Sequence, residues 1–262
     1  MRMSIQIAVL ILLGLAIYGC NAKPSGPAKP VFDAEDFDFG RIPENSSVTH
    51  IYQLTNEGGD SVVIQRVRTH CGCTKAPVEK TVAGPGETIP IELRFNSRGI
   101  RGSSKKSATV NLFIEEQNTP SFRLMFSTFT DTTSNPFGYG ELGAEPYQIE
   151  FSDSVEYVDI KLTNRMAAKR EIRVVDYQPD RIKVSWEKKN IGPKEETTLR
   201  VSRIVEPRSI VASVTLEMAD HPNTRITIPI SEYIAPGTVR TGKSVSRKVV
   251  PPDYPSPWGE DK

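Results

Sequence analysis

Residues 155–164 read Val-Glu-Tyr-Val-Asp-Ile-Lys-Leu-Thr-Asn, and apolar side chains alternate with polar ones through this stretch. Period-2 alternation gives a strand one buried face and one solvated face. The same alternation occurs in residues 48–54 and 89–95. Segments rich in Gly, Asn, Asp and Pro separate such runs, at 56–60, 84–86, 96–99 and 220–223. Short strands between regular turns predict an all-β sandwich fold.

An internal repeat predicts that this fold occurs twice. Leu54-Thr55-Asn56 recurs as Leu162-Thr163-Asn164, an offset of 108 residues. The same offset aligns residues 64–67 with 172–175, Gly84-Pro85 with Gly192-Pro193, and residues 91–93 with 199–201. We therefore expect two tandem immunoglobulin-like β-sandwiches of about 100 residues each, in which these shared residues serve the architecture.

The composition of the chain divides it into six predicted segments. They are a signal peptide (1–19), a flexible linker (20–31), a first sandwich (32–130), a connector (131–146), a second sandwich (147–235) and a basic, proline-rich disordered tail (236–262). The linker is rich in Pro, Gly, Ser and Lys and cannot bury a core. We interpret the tail as solvated, the alternative being contact with an anionic lipid or polymer, or with a protein partner.

The first 20 residues resemble a bacterial lipoprotein signal. Arg2 precedes an almost wholly apolar stretch from Ile5 to Ile17, which is short for a transmembrane helix and suits a signal peptide. The stretch ends Ile17-Tyr18-Gly19-Cys20, which resembles a lipobox. The resemblance implies cleavage before Cys20, lipid (diacylglycerol and palmitate-like acyl chains) on that residue, and a body held in the periplasm or another extracytoplasmic space of the bacterial cell envelope. The alternative is an ordinary signal peptide with an incidental Cys20.

The charge balance and the few reactive side chains exclude several function classes. The 262 residues include 33 Lys and Arg and 32 Asp and Glu, a net charge of +1, so we expect no nucleic-acid partner. The sequence contains no phosphate-binding glycine loop and no nucleophile elbow. We predict a protein without cofactor or catalytic site. A hydrolase with an unrecognised site is the remaining enzymatic alternative, and turnover by the purified protein would reveal it.

The segment Thr69-His70-Cys71-Gly72-Cys73-Thr74 is the one candidate for chemistry. The matching positions of the second half, 177–182, contain no Cys, so the pair is not needed for the fold itself. A first interpretation is a local disulfide between Cys71 and Cys73, structural or redox-active. A fully extended i, i+2 pair spans about 6.6–7.2 Å, at or beyond the usual limit for a disulfide, and Gly72 permits a shorter, bent geometry.

Two other interpretations of this segment stay open. His70, Cys71 and Cys73 offer ligands suited to Cu(I) or Zn, and His50 or a partner molecule would have to complete the site. Alternatively, the two cysteines are free, buried thiols. A Cys–His dyad with His70 is disfavoured, because adjacent residues of a strand point to opposite faces.

Four motifs in order resemble those of a known bacterial family. They are Phe37-Asp38-Phe39-Gly40, Leu54-Thr55-Asn56-Glu57-Gly58, Cys71-Gly72-Cys73-Thr74 and Pro85-Gly86-Glu87, within residues 32–114. The family is catalogued as domain of unknown function 1573. The resemblance implies an immunoglobulin-like sandwich, akin to the Hydin and major-sperm-protein domains, on exported and often lipidated proteins. It implies no activity. His70 stands where the family commonly has Ser, so a metal role for His70 is not implied by the resemblance.

These observations together predict a lipid-anchored, non-enzymatic cell-envelope protein. We expect it to contact the membrane through lipid on Cys20 and to bind or scaffold a protein partner through loops or exposed strand edges. The alternative function is a redox-active or soft-metal (copper or zinc) handling module that uses Cys71 and Cys73.

Overall fold

The computed structural model describes residues 24–115, 120–132, 140–152, 155–205 and 210–232. These residues form strands, turns and loops and contain no helix. The predicted signal peptide, Cys20, residues 233–235 of the predicted second sandwich and the predicted tail (236–262) lie outside the described residues. The strands are β1 (Pro30–Phe32), β2 (Asp36–Pro43), β3 (Ser47–Asn56), β4 (Val62–Thr69), β5 (Thr74–Lys75), β6 (Val82–Ala83), β7 (Thr88–Asn96), β8 (Gly102–Phe113), β9 (Ser121–Asp131), β10 (Leu142–Glu145), β11 (Ile149–Phe151), β12 (Tyr157–Asn164), β13 (Arg170–Tyr177), β14 (Ile182–Trp186), β15 (Asn190–Ile191), β16 (Glu196–Arg203), β17 (Val211–Met218) and β18 (His221–Glu232).

The strands build three sheets. Two have four strands each, in the orders β1-β3-β7-β5 and β10-β12-β16-β14. The third, the large sheet, has the order β15-β13-β17-β18-β2-β9-β8-β4-β6. A further short strand, β11, pairs in parallel with β18 and is not part of this order. The alternating burial along the strands matches the period-2 pattern of the sequence, so the predicted all-β sandwich fold is confirmed.

Each four-stranded sheet shares a hydrophobic core with one part of the large sheet. The core of the first half includes Phe39, Tyr52, Phe95 and Phe126, all fully buried. The core of the second half draws on residues 142–230. We call the parts of the chain around these two cores the first half and the second half. Their division into two independent domains stays a prediction.

The repeat seen in the sequence has a hydrogen-bonding basis at Asn56 and Asn164. The Asn56 amide donates to the Asp60 carbonyl at 2.7 Å and to the Ala83 carbonyl at 3.1 Å. The Asn164 amide donates to the Ala168 carbonyl at 2.8 Å and to the Ile191 carbonyl at 3.1 Å. Both side chains are fully buried, so each one ties a turn to a neighbouring strand.

The two halves are continuous through the large sheet, where β18 pairs in parallel with β2 at Ile226 and Arg41. The segments predicted as linker and connector also contribute strands. β1 begins at Pro30 and pairs with β3, and β10 lies within 131–146 and pairs with β12. The linker and connector therefore add edge strands to the two four-stranded sheets.

Candidate functional site

The Cys71–Cys73 loop lies at one end of the first half, between β4 and β5. The structure joins the two cysteines by a disulfide, with a Cα–Cα distance of 5.3 Å. A turn closes the loop, because the Thr74 amide donates to the Cys71 carbonyl at 3.3 Å. The bend does not use a positive φ at Gly72, and a Cβ atom there would meet nothing within 4 Å. The conformational freedom expected of Gly72 is therefore not what shortens the loop.

The two sulfur atoms have different surroundings. Cys73 packs against the core of the first half. The Cys71 Sγ atom lies 3.2 Å from the Thr74 Oγ1 atom, and the Thr74 side chain is buried. Both cysteines are half-buried, so the bridge can be reached from solvent. The Thr74 hydroxyl also lies 4.0 Å from the Cys73 Sγ atom, so it can donate a hydrogen bond to either sulfur and is nearer to that of Cys71.

The structure does not assemble the predicted metal ligands. The sulfurs of Cys71 and Cys73 are bonded to each other, and the exposed His70 ring shares a hydrogen bond with the Thr109 hydroxyl at 2.9 Å. The His50 Nδ1 atom lies 2.8 Å from the Asp176 Oδ2 atom, on a contact between the halves. Within the described ranges, no group of three or more His, Cys, Asp or Glu side chains is placed to hold a metal ion.

A buried ion cluster joins the halves at Glu92. Its carboxylate accepts hydrogen bonds from Arg181 at 2.8 Å, from the Thr49 hydroxyl at 2.7 Å and from Arg94 at 2.8 Å. Burial acts to raise the pKa of Glu92, but these donors outweigh it and lower the pKa from 4.5 to about 2. Arg181, from the second half, has its pKa raised because it is hydrogen-bonded to Glu92. The pair therefore stays charged at neutral pH.

Polar and aromatic contacts extend this junction along β3. The Ser213 hydroxyl donates to the Thr49 carbonyl at 2.9 Å, and the Ser213 amide donates to the Gln178 side chain at 2.8 Å. The His50 ring stacks on Phe37, with the ring centroids 3.7 Å apart. All five residues are buried or half-buried.

The Phe37-Asp38-Phe39-Gly40 motif is the place where the large sheet passes from one half to the other. Phe39 is fully buried in the core of the first half. Gly40 has a φ of +63°, and a Cβ atom there would lie 2.2 Å from the Arg225 carbonyl oxygen on β18. Only glycine permits so close an approach of β18 to β2. The motif therefore both fills the core and permits the pairing.

An open groove lies on the outer face of the sheet near this crossing. Its volume is about 620 Å³, and Asp38, Arg41, Lys105, Phe129 and Arg225 contribute to its lining. The charged groups already have partners, since Arg41 pairs with Asp131 at 2.5 Å and Arg225 pairs with Glu217 at 2.6 Å. The groove is therefore a weak candidate for an ionic ligand.

The edges of the sheets are short, as is common in proteins that limit strand addition. Of the outermost strands in the described residues, β1, β5, β6, β10 and β15 have two to four residues each, and β14 has five. Part of β8 is also an open edge. The pairing with β4 ends at Thr69 and Ala108, so residues 102–106 have no strand beside them on that side in the described part of the chain.

The ion cluster at Glu92 could not be predicted from the sequence, for a physical reason. In residues 89–95 the alternation places Glu92 and Arg94 on the face opposite to Ile91 and Leu93, which predicts a solvated position. The second half covers that face, and Glu92 is only 8% exposed. The alternation of apolar and polar residues indicates which face of a strand is buried within its own sandwich. It does not indicate whether the other face is covered by the second half.

Comparison with known proteins gives a family for the first half only. No curated protein matches the sequence. A protein of unknown function from Porphyromonas gingivalis W83 is 13% identical, with a TM-score of 0.35, and the match covers 80% of this chain and 100% of that one. The periplasmic chaperone SfaE is 10% identical, with a TM-score of 0.33, over 78% of this chain and 100% of that one. A PapD-like domain of human CEP192 is 11% identical, with a TM-score of 0.35, over 41% of this chain and 88% of that one.

These structural similarities support no activity or partner for this chain, because identity and TM-score are both low. The described residues contain no helix that is long and apolar enough to cross a membrane. The family model described as "Protein of unknown function (DUF1573)" matches residues 30–128. This match agrees with the four sequence motifs, and residues 30–128 are therefore a DUF1573 domain.

Proposed function

We propose that this protein is a lipid-anchored, non-enzymatic binding or scaffolding protein of the bacterial cell envelope, with its body on the extracytoplasmic side. The observation that carries the proposal is the buried junction around Glu92 and Arg181, where two hydrogen bonds join the halves and favour a fixed arrangement. A rigid body on a short linker suits a protein that presents surfaces to partners. The Cys71–Cys73 disulfide supports an oxidising compartment.

The anchor is tested through Cys20. The full chain and its Cys20→Ser variant are expressed in a bacterium, and the membrane fraction is extracted and analysed by intact mass. We expect a lipid-modified protein that begins at Cys20 in the membrane fraction, and loss of this species in the variant. Unmodified protein in the soluble fraction of wild-type cells would contradict the proposal.

The binding role is tested at the open edge of β8. A photo-crosslinking residue in place of Ser103, which is exposed on this edge, should capture one discrete partner in intact cells. The same residue in place of Tyr157, which is 49% exposed in the second half, serves as the control. Equal labelling at both positions would show that β8 has no special role. Addition of a strand to an open edge is the mode of contact that the geometry favours.

A second candidate function is thiol–disulfide exchange at Cys71 and Cys73, favoured by the Thr74 hydroxyl beside Cys71. A substrate thiolate would attack the bridge to form a mixed disulfide, and a second substrate thiol would release the protein with both cysteines reduced. The substrate is thereby oxidised by two electrons. A hydroxyl that donates to the Cys71 thiolate would favour the reduced form.

The exchange function is tested by measuring the reduction potential of the bridge in wild type and in Thr74→Val. Loss of the hydroxyl should lower the potential, because the Cys71 thiolate loses a hydrogen bond. The Thr74→Ser variant, which keeps a hydroxyl, is the control and should match wild type. A bridge that neither glutathione nor a dithiol reduces in the folded protein would exclude the exchange function and leave the disulfide a structural element.

A further inference from the structure

Three apolar side chains form a row on the outer face of the large sheet. Val63 on β4 pairs with Val82 on β6 and with Phe113 on β8, so the three side chains lie side by side across neighbouring strands. Val82 is 45% exposed and Phe113 is 46% exposed, whereas their neighbours Ala83 and Leu112 are fully buried on the opposite face. We call Val63, Val82 and Phe113 the apolar row.

Three arginines follow the apolar row on the same face. Thr109 on β8 pairs with Arg68 of β4 on one side and with Arg123 of β9 on the other. Arg66 pairs with Asn111, which is two residues closer to Phe113 along β8. Neighbouring strands are about 4.8 Å apart, so the Cα atoms of Arg68 and Arg123 lie within about 10 Å of each other. We call Arg66, Arg68 and Arg123 the arginine cluster.

The arginine cluster has no counter-charge of its own. All three side chains are exposed, and none makes an ion pair or hydrogen bond with the part of the chain that the structure describes. Strands β4 and β8 contain no acidic residue. This is unusual in a chain with nearly equal numbers of acidic and basic residues. Three unpaired guanidinium groups beside exposed apolar side chains attract a surface that is both anionic and apolar.

The start of the described chain lies at the same end of the first half. The Gly59 amide donates to the Gly26 carbonyl at 2.8 Å, and Pro24 lies against Gly86. Gly86 follows β6 closely, and Gly59 precedes β4, so both turns adjoin the apolar row. Cys20 is four residues before Pro24, and an extended chain of that length spans at most about 14 Å. A lipid on Cys20 would therefore hold this end of the body close to the bilayer.

We propose that the apolar row and the arginine cluster form a surface that docks on anionic lipid headgroups. The inference rests on the proposed anchor at Cys20, which would supply the high local concentration of membrane. The arginines would contact headgroup phosphates, and Val82 and Phe113 would enter the region between headgroups and acyl chains. Docking would fix the orientation of the body and leave the second half facing away from the membrane.

The experiment places an environment-sensitive fluorophore at Phe113→Cys in the full chain, purified from membranes and reconstituted into vesicles. With Cys71 and Cys73 bridged and Cys20 lipidated, the new thiol alone reacts. The vesicles contain phosphatidylethanolamine with or without phosphatidylglycerol, and nitroxide lipids serve as quenchers. We expect a blue-shifted, quenched signal with phosphatidylglycerol. The same label at Tyr157→Cys, an exposed position of the second half, should stay unquenched.

The arginine cluster is tested by R66S/R68S/R123S in the labelled protein. The ratio of docked to undocked protein should fall on the order of 10- to 100-fold, and high salt should have a similar effect on wild type. K183S/K189S/K194S removes the same charge from exposed lysines of the second half and should leave docking unchanged. Circular dichroism spectra that match wild type establish that the variants are folded.

Failure of this inference is distinct from failure of the anchor. A lipidated protein whose Phe113 label is no more quenched than the Tyr157 label would overturn the docking surface and leave the anchor intact. A Cys20→Ser protein, which has no lipid and no second free thiol, would support the surface without the anchor if its Phe113 label still docks on added anionic vesicles. A label that becomes shielded at high protein concentration without lipid would show a contact between two copies and would overturn the proposal.

Discussion

Arg181 of the second half donates two hydrogen bonds to Glu92 of the first half. Nη1 donates to Oε1 and Nη2 donates to Oε2, both at 2.8 Å. Arg181 Nη1 also donates to the Val211 carbonyl at 2.7 Å, so the guanidinium group is fixed on its own half as well. Such a pair links the position of one half to that of the other, because its geometry tolerates little displacement.

Replacement of either partner should destabilise the protein strongly. Arg181→Met leaves the buried Glu92 carboxylate with fewer donors, and we expect the free energy of unfolding to fall by about 3 kcal/mol. Denaturant unfolding monitored by fluorescence measures this change. Arg200→Met is the control, because the Arg200–Asp159 pair has similar two-point geometry but is exposed. Surface pairs contribute little, so Arg200→Met should leave stability nearly unchanged. A small effect of Arg181→Met would show that the junction does not hold the halves together.

The same cluster predicts a loss of stability in acid. The carboxyl group of Glu92 has a pKa near 4.5 in the unfolded chain and about 2 in the folded protein. As the pH falls from 4.5 towards 2, the unfolded chain binds a proton that the folded chain does not, so stability decreases over this window and is fully present above it. Burial acts to raise the pKa of Glu217, but hydrogen bonds from Arg225 and Arg173 outweigh it and lower the pKa. Glu217 therefore changes stability in the same direction as Glu92.

Urea unfolding at a series of pH values tests this prediction. Wild type should lose stability through the acid window, and Glu92→Gln should be less stable at neutral pH with a flatter acid profile. If stability fell with pH in the same way in wild type and in Glu92→Gln, the pKa of Glu92 would have to be the same in the folded and the unfolded chain. That result would contradict the hydrogen bonds that we describe.

Local pattern in the sequence predicted most of the fold and little of the junction. The alternation in residues 155–162 and the offset of 108 residues indicated the strands and their repetition. The repeat predicted that Asn56 and Asn164 serve the architecture, but it did not predict which contacts they make. Their importance comes from buried hydrogen bonds to carbonyl groups four and 27 residues away. A pattern of residue types does not reveal contacts made between distant strands.

Asn56→Ala and Asn164→Ala should have matching effects on their own halves. Each substitution removes the buried hydrogen bonds from the side-chain amide to these carbonyl groups, and we expect a loss of about 2–4 kcal/mol in the free energy of unfolding. Hydrogen exchange followed by mass spectrometry locates the loss. Faster exchange confined to the half that carries the substitution would support the division into two domains. Faster exchange in both halves for both variants would show instead that they unfold as one unit.

Gly40 should be the glycine that is least tolerant of substitution among those with positive φ in the described residues. Both Gly40 and Gly102 have φ near +65°, at +63° and +69°. A Cβ at Gly40 would collide with the Arg225 backbone, whereas a Cβ at Gly102 would meet nothing within 4 Å. Gly102→Ala therefore measures the cost of the backbone conformation alone, about 1 kcal/mol. Gly40→Ala adds the separation of β18 from β2, so we expect a total loss of more than about 3 kcal/mol. Equal losses in the two variants would mean that the large sheet does not depend on this close approach.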